Sequence, residues 1–336
     1  MNIVKQLDHT IWKNFVLKHP CGNIFHTPEM FEVFEQTKGH KPYLWAAVDG
    51  EDRILALMLP VNILFDNRLL KPFSRDVVYG GILHELSSDG LDGLSYLLEA
   101  YKRETRGRNL YAELRNISES VDAQAVLGKN NFVFEDHLNY LIDLNRSSDE
   151  VLKSIGKRTR KHISRGLRKN ILKIEVVNDR QKIAESYDLL KTTYQNASVP
   201  LAHQSLFEAA FDVLFPKGMV HFILAYIEGK PVAVSVELLY KDVIYGWYNG
   251  MDRAYSSYSP NELIMWHILR WGAENYYRLY DFGGAGKPDE DYGVRDFKAK
   301  FGGDLVNYGR NKYIASPSLY KFTEFGYKML RGFLFS

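Results

Sequence analysis

The chain has 336 residues, of which 46% are hydrophobic and 14% aromatic, and carries a formal net charge of +2. That much apolar material can bury one or two sizeable cores, while a charge so near zero sets up no global field toward nucleic acid or membrane. A single cysteine, Cys21, excludes an internal disulfide and a cysteine metal site, and fits a reducing compartment.

The opening stretch MNIVKQLDHTIWKNF has neither the basic head nor the apolar run of a signal peptide, and no eighteen consecutive apolar residues occur anywhere. The expectation is a cytoplasmic globular protein with no transmembrane segment. Its ten histidines show no metal-ligand spacing, so no metal is expected. Thr10 to Lys18 predicts a short helix. Thr27-Pro28-Glu29 then supplies an N-cap, a proline at the first helical position and an acid in the first turn, with Met30, Phe31, Val33 and Phe34 as the apolar side. YLWAAV (43–48), the turn Asp49-Gly50-Glu51-Asp52 and Ile54 to Leu59 predict a β-hairpin. Strands follow at Val61 to Phe65 and Val77 to Leu83, then a helix from Leu91 to Arg106 and a strand from Asn109 to Leu114. A further helix and the strand Tyr140 to Leu144 close the first half. Arg75 and Tyr79, ahead of Gly80-Gly81, are candidates to line an acceptor pocket.

The junction carries the clearest charge feature: Lys153 to Lys173, KSIGKRTRKHISRGLRKNILK, has no acidic residue. Ser147 and Glu150 form a capping-box pattern ahead of it, and Val151, Ile155, Thr159, Ile163 and Leu167 recur at helical spacing. One reading is a solvated basic face. The other is a phosphate-binding surface for a nucleotide, a tRNA acceptor end or coenzyme A, with Arg158, Arg160 and Lys161 as its candidates.

The second half repeats the plan of the first. AYIEGKPVAV (225–234) matches AAVDGEDRILAL (46–57) in position and character, and each hairpin leads through more strand to a long helix and another strand. The helix Pro260 to Tyr277 before Leu279 to Phe282 corresponds to the first half's helix and its following strand, which indicates a duplicated α/β unit. Ser259-Pro260-Asn261-Glu262 predicts a capping box at that helix start, occupying part of its capacity to bind an anion. Tyr248 and Asn249, ending the strand before it, are candidates to line the same cleft.

From Arg278 the chain reads RLYDFGGAGKPDEDYGVRDFKAKFGGDLVNY. The strand Leu279 to Phe282 stops at Gly283-Gly284, with Gly286 close behind, and Asp281 sits at its carboxyl end, where open α/β sheets hold ligands. Gly293 to Lys300 predicts a short helix displaying Arg295, Phe297 and Lys298; Gly302-Gly303 stops it before a strand from Leu305 to Tyr313. Ser318 to Phe335 reads as an aromatic-rich helix. The order DFGG, Gly-Val, Phe-Lys, Phe-Gly-Gly resembles the FemABX family, the peptidoglycan interpeptide-bridge aminoacyltransferases and related GNAT-type N-acyltransferases. The likeness covers most of residues 20 to 315 and is sharp from Tyr248 to Tyr308. A kinase reading of DFGG fails, because no glycine-rich loop, catalytic His-Arg-Asp or upstream lysine pattern accompanies it.

The resemblance implies an α/β fold of two tandem GNAT-like domains, each a mixed sheet flanked by helices: residues 1–146 with a returning tail at 318–336, and 147–317 carrying the DFGG and Phe-Lys motifs. It implies transfer of an acyl or aminoacyl group from acyl-CoA or aminoacyl-tRNA to an amine of a cell-wall, capsule or other glycan or peptide precursor, with no tightly bound cofactor. The acceptor is then a small molecule or glycopeptide, and any membrane contact is peripheral. Lys298 matches the Phe-Lys lysine that in the family is thought to stabilise the tetrahedral intermediate, an ammonium being suited to a developing oxyanion. Asp281 either orients Lys298, accepts the amine's proton or caps the glycine turn; Phe297, Arg295, Gly283 and Gly284 frame the substrate. Two basic residues that serve nucleotide-linked precursors in the cell-wall members are replaced here, by Phe34 and by Asn196 after Thr193. A reading from another class stays open: a non-catalytic GNAT-like module that binds nucleic acid or phosphorylated glycan through the basic helix.

Overall fold

The computed structural model describes residues 1–64 and 74–321. In chain order the first part comprises β1 (Asn2–Val4), α1 (His9–Lys18), α2 (Pro28–Glu35), β2 (His40–Pro42), β3 (Trp45–Val48), β4 (Ile54–Met58), β5 (Val61–Ile63), β6 (Arg75–Tyr79), β7 (Leu83–His84), α3 (Ser88–Thr105), β8 (Tyr111–Arg115), α4 (Val121–Lys129) and β9 (Val133–Glu135). Next come β10 (Leu138–Asp143), α5 (Ser148–Ser154), α6 (Lys157–Lys169), β11 (Lys173–Val176), α7 (Lys182–Asn196) and α8 (Ser205–Leu214). Then β12 (Val220–Ile227), β13 (Lys230–Tyr240), β14 (Val243–Met251), α9 (Pro260–Glu274), β15 (Leu279–Asp281), α10 (Gly293–Ala299), β16 (Asp304–Asn307) and β17 (Arg310–Ile314) complete the described chain.

These elements form two compact units, residues 1–136 with 308–336, and residues 137–307. The division falls ten residues before each boundary expected from the sequence, for a physical reason. β10 pairs with β15 and β16, so it belongs to the second sheet and does not close the first half. The expected single strand Leu305 to Tyr313 is two: at Gly309 the backbone turns left-handed (φ 63°), and β17 joins β8 and β9 of the first unit. Beyond residue 321 the expected tail helix lies outside the described residues, as does Phe65 of the expected strand.

The first unit carries a four-stranded sheet, β1-β3-β4-β7, and a six-stranded one, β2-β5-β6-β8-β17-β9. The β3–β4 hairpin closes as expected, its turn tied by Asp49, whose Oδ1 accepts from the amides of Glu51 and Arg53. β6 and β8 run parallel, connected through α3, whose Leu94, Leu97, Leu98 and Tyr101 are buried against Trp45, Leu55 and Val78.

The second unit is one seven-stranded sheet in the order β11-β12-β13-β14-β15-β10-β16. β13 is an interior strand between β12 and β14, with eight consecutive buried residues from Val232 to Leu239, as a strand covered on both faces must be. The β12–β13 hairpin turns through Glu228 (φ 50°) and Gly229 (φ 77°), a two-residue loop with both residues left-handed. β14 pairs in parallel with β15, and α9 makes the crossover. The Ile244 and Gly246 side of the sheet packs on α9; α7 takes the other side, where Thr193 Oγ1 accepts from the Met251 amide at 2.9 Å. A bulge at Trp247 interrupts the β13–β14 register just before Tyr248.

The basic segment departs from the expected single helix. The Ser147–Glu150 capping box forms, but α5 ends at Ser154 and α6 begins after Gly156, whose amide bonds to the Lys300 carbonyl at 2.9 Å. Val151, Ile155, Thr159 and Ile163 are buried as the spacing predicts, whereas Leu167 is exposed. No helix among the described residues is long and apolar enough to cross a membrane.

Candidate functional site

The second unit's site is built around the end of β15. Past Asp281 the chain turns left-handed at Gly283 (φ 67°) and Gly284 (φ 68°), conformations that disfavour any side chain. Space forbids one as well: a Cβ on Gly283 would lie 2.9 Å from the Gly246 carbonyl oxygen of β14. Asp281 closes this turn. Its Oδ1 accepts from the Gly283 amide at 2.7 Å and from Asn139 Nδ2 at 2.6 Å, while Asn139 Oδ1 accepts from the Gly284 amide at 3.1 Å.

Lys298 sits on α10, and the structure corrects its expected display on an open helix: the residue is only 5% exposed. Its Nζ donates to the carbonyls of Phe282 (2.6 Å), Gly283 (3.1 Å) and Gly284 (2.6 Å), using all three ammonium donors on one turn. Burial lowers its pKa to about 8, a pull opposed by the nearby carboxyls of Asp281 and Glu237. Burial raises Asp281 to about 6, against the bonds from Asn139 and Gly283 and the Lys298 charge. Glu237, in the middle of β13, is raised by burial to about 7, against Ser235, Tyr280 and Lys298. One ammonium and two carboxyls thus meet where water is excluded, an arrangement whose protonation is poised near neutrality.

Arg295 also serves this loop. Its guanidinium donates to the carbonyls of Ala285 (2.8 Å), Pro288 (3.2 Å) and Lys287, so it fixes the segment after the glycines. Phe297 packs edge-on to Phe301 at 5.2 Å beside the core. Tyr248 lies among Tyr194, Phe207 and Trp247, and Asn249 is exposed one residue further along β14. The capping box expected at Ser259 is absent: Ser259 is itself left-handed (φ 56°) and its side chain makes no cap bond, pairing instead with His162 Nδ1 at 3.3 Å. The start of α9 therefore retains the anion-binding capacity that a cap would have taken up. On α6, Arg158 and Lys161 are exposed and Arg160 is half-buried. His162, Arg165 and Lys169 line a shallow open pocket together with Ser257, Tyr258 and Ser259.

Arg75 and Tyr79 lie in the first unit. Arg75 Nη1 donates to Tyr111 Oη at 3.3 Å, and Tyr79 is stacked against Phe25 and Phe34 with Arg115 over its ring. Neither lines the cleft at Gly80 and Gly81, whose apolar walls, among them Ile82, Leu94 and Leu114, are rimmed by His19, Asn116, Glu119 and Asp122. Glu237, Asn139 and Tyr280 went unnoticed in the sequence. The signal for Glu237 was present, a lone carboxylate in the apolar run VAVSVELL.

A family model described as an acetyltransferase (GNAT) domain matches residues 153–298, from the basic segment to Lys298. The lipid II:glycine glycyltransferase of Staphylococcus haemolyticus (strain JCSC1435) is 20% identical, covering 96% of this chain and 94% of its own. Among solved structures, the crystal structure of FemX superposes with a TM-score of 0.73 at 16% identity, covering 96% of this chain and 99% of FemX. A tandem GNAT protein from the clavulanic acid biosynthesis pathway follows with a TM-score of 0.58 at 9% identity, covering 94% and 99%. The FemABX resemblance and the tandem GNAT-like fold are borne out, and the chain is an acyltransferase.

Proposed function

We propose that the chain transfers an acyl or aminoacyl group from an activated ester or thioester to an amine of a cell-envelope precursor, with Lys298 at the reacting centre. The observation that carries this is the buried Lys298 ammonium, pinned over the glycine turn where β15 ends beside the bulged β14. Amine attack puts negative charge on the acyl oxygen, and a preorganised ammonium in a site that excludes water is a strong stabiliser of it. The Gly283 carbonyl makes the longest of the three Lys298 bonds, at 3.1 Å, and is the one an oxyanion exchanges. Asp281 keeps the turn in shape and its charge keeps the lysine protonated at neutral pH. Phe297 and Arg295 frame the loop, and Tyr248 and Asn249 border the donor side.

The donor's phosphates are assigned to α6 and the uncapped start of α9, with Arg158, Arg160 and Lys161 as the outer contacts and Arg165 and Lys169 nearer the helix start. An aminoacyl-tRNA suits this surface better than acyl-CoA, because the exposed cations continue beyond one pyrophosphate's length along the helix. The acceptor is a glycopeptide amine, as the name of the lipid II relative suggests. Phe34 and Asn196, in place of the basic residues for a nucleotide-linked precursor, fit an acceptor without a nucleotide. The reaction is assigned to the cytoplasm, with membrane contact limited to the surface. The experiment is incubation of the purified chain with glycyl-tRNA or acetyl-CoA and amine acceptors, including lipid II in detergent, followed by mass spectrometry for a new amide. Product from the tRNA donor supports the full reading; product from acetyl-CoA alone reassigns the donor; no amide from any pairing overturns it.

A further inference from the structure

The C-terminal end of α9 closes as a Schellman motif: the Tyr277 amide donates to the Gly272 carbonyl at 3.0 Å, and the Tyr276 amide to that of Ala273 at 3.4 Å. The left-handed position of this motif ordinarily takes glycine, because a Cβ there is strained. Here it is Tyr276, with φ 62°. Eight non-glycine residues are left-handed among those described, and Tyr276 is the one aromatic. Its ring gains nothing from the fold: at 94% exposed, it is the most accessible large apolar side chain among the described residues. A strained backbone that carries a solvated aromatic ring points to a partner outside the chain.

The surroundings indicate which partner. The rings of Trp271 and Tyr277 meet at 5.3 Å; both rest partly on the core and partly face solvent. The Arg278 amide bonds to the Asp242 carbonyl at 2.8 Å, which brings in the β13–β14 turn with Lys241. The Leu239 amide bonds to the Met219 carbonyl at 2.9 Å, which brings in the loop carrying Lys217. Lys217, Lys241, Arg270 and Arg278 therefore gather at this end of the second sheet against Asp242 and Glu274, and positive charge is in excess. Tryptophan and tyrosine at a water–lipid boundary, flanked by cations, make up the kind of surface that lies on an anionic bilayer. A base or a sugar would be gripped between rings, whereas a ring standing free at a helix end is placed to insert. We infer that this end of the second sheet docks on an anionic lipid surface, with the Tyr276 ring in the headgroup layer. Docking needs no turnover, but its use rests on the acyl-transfer reading. The glycine turn lies at the far end of β15, roughly 15 Å from Arg278 at about 3.3 Å per residue. Docking here holds the reacting centre off the bilayer, on the side where a lipid-linked glycopeptide presents its amine.

The test is flotation of the full chain with vesicles of phosphatidylcholine, alone or mixed with phosphatidylglycerol. Wild type should bind the mixed vesicles, less so as salt rises. Tyr276→Gly should weaken that binding about three- to tenfold and, by relieving the left-handed strain, raise the melting temperature by about 1–3 °C. Lys217→Gln combined with Lys241→Gln should weaken it about tenfold or more, since each cation near an anionic surface contributes about a factor of five. Binding to neither vesicle, or binding untouched by both replacements, overturns the inference whatever the protein catalyses. A glycine variant that melts lower than wild type also overturns it, because the ring would then be packing on its own fold. With a productive donor, Tyr276→Gly should slow amide formation on a lipid-linked acceptor in vesicles and leave a water-soluble acceptor unaffected. Equal slowing on both acceptors, or on neither, overturns the docking role. Vesicle binding by a protein that forms no amide overturns the acyl-transfer reading and leaves the docking surface standing.

Discussion

Replacing Lys298 by methionine removes one ammonium and keeps most of its stem, so packing changes little while three bonds to the glycine turn disappear. Two buried carboxyls, Asp281 and Glu237, also lose their cation. Removing one partner of a buried charge network typically costs about 3–5 kcal/mol. For a unit spanning residues 137–307, each kcal/mol shifts the melting temperature by about 2–4 °C, so a fall of roughly 6–20 °C is expected. The pH dependence should identify the cause. Asp281 and Glu237 titrate in the folded protein at about 6 and 7, so below about pH 6 both are neutral and need no cation. The gap between wild type and variant should therefore narrow in acid. In alkali the wild type should gain: Lys298 titrates at about 8 folded but near 10.5 unfolded, so stability rises with pH between these values, and the methionine variant lacks that gain. The assay is thermal unfolding at pH 5, 7.5 and 9.5. A variant melting within about 2 °C of wild type at all three, against the loss expected for a broken buried network, would refute the view that Lys298 holds the turn.

Gly246→Ala would set a Cβ 2.5 Å from the buried Tyr280 hydroxyl and should destabilise by about 1–3 kcal/mol in denaturant unfolding. Gly128→Ala in α4, where a Cβ meets nothing within 4 Å, should instead stabilise by about 0.5–1 kcal/mol. The triple replacement of Arg158, Arg160 and Lys161 by alanine should change melting little, because Arg158 and Lys161 are exposed, Arg160 is only half-buried, and solvated charges contribute little to folding. It should also flatten the salt dependence of tRNA binding by about two in the log–log slope. Glu237 is raised from its ordinary value of 4.5 to about 7, so it adds stability in acid that is lost as pH climbs through 7. Glu237→Gln should flatten that decline between pH 5 and 8 when unfolding free energies are compared.

Much of this architecture was legible because local signals and fold agreed. The Asp49–Asp52 and Glu228–Gly229 turns, the Ser147–Glu150 capping box and the proline start of α9 each produced the element they predict. The errors came where long-range pairing decides. Nothing local reveals that residues 138–143 pair with β15 and β16, or that Gly309 hands the chain to another sheet. At Ser259 the N-cap signal was outweighed by a left-handed backbone, and at Ile155-Gly156 a bond to the Lys300 carbonyl broke the periodic helix in two. The site was readable as a place, since the glycine pairs and Asp281 mark it, but its electrostatics were not. That Lys298 is buried, and that Glu237 joins it from a strand sixty-one residues earlier, follows from sheet order alone.

The measurement that bears most directly on Lys298 as the reacting centre is single-turnover amide formation by wild type, Lys298→Met and Lys298→Arg. It should be run with a productive donor and acceptor at a temperature where each variant is shown to be folded. Loss of an oxyanion donor should slow the methionine variant by about 100- to 1000-fold. Arginine should recover only part of that, since a planar fork does not replace a compact ammonium held by three carbonyls. A folded Lys298→Met protein forming amide within about threefold of the wild-type rate, against an expected loss so much larger, would contradict the account.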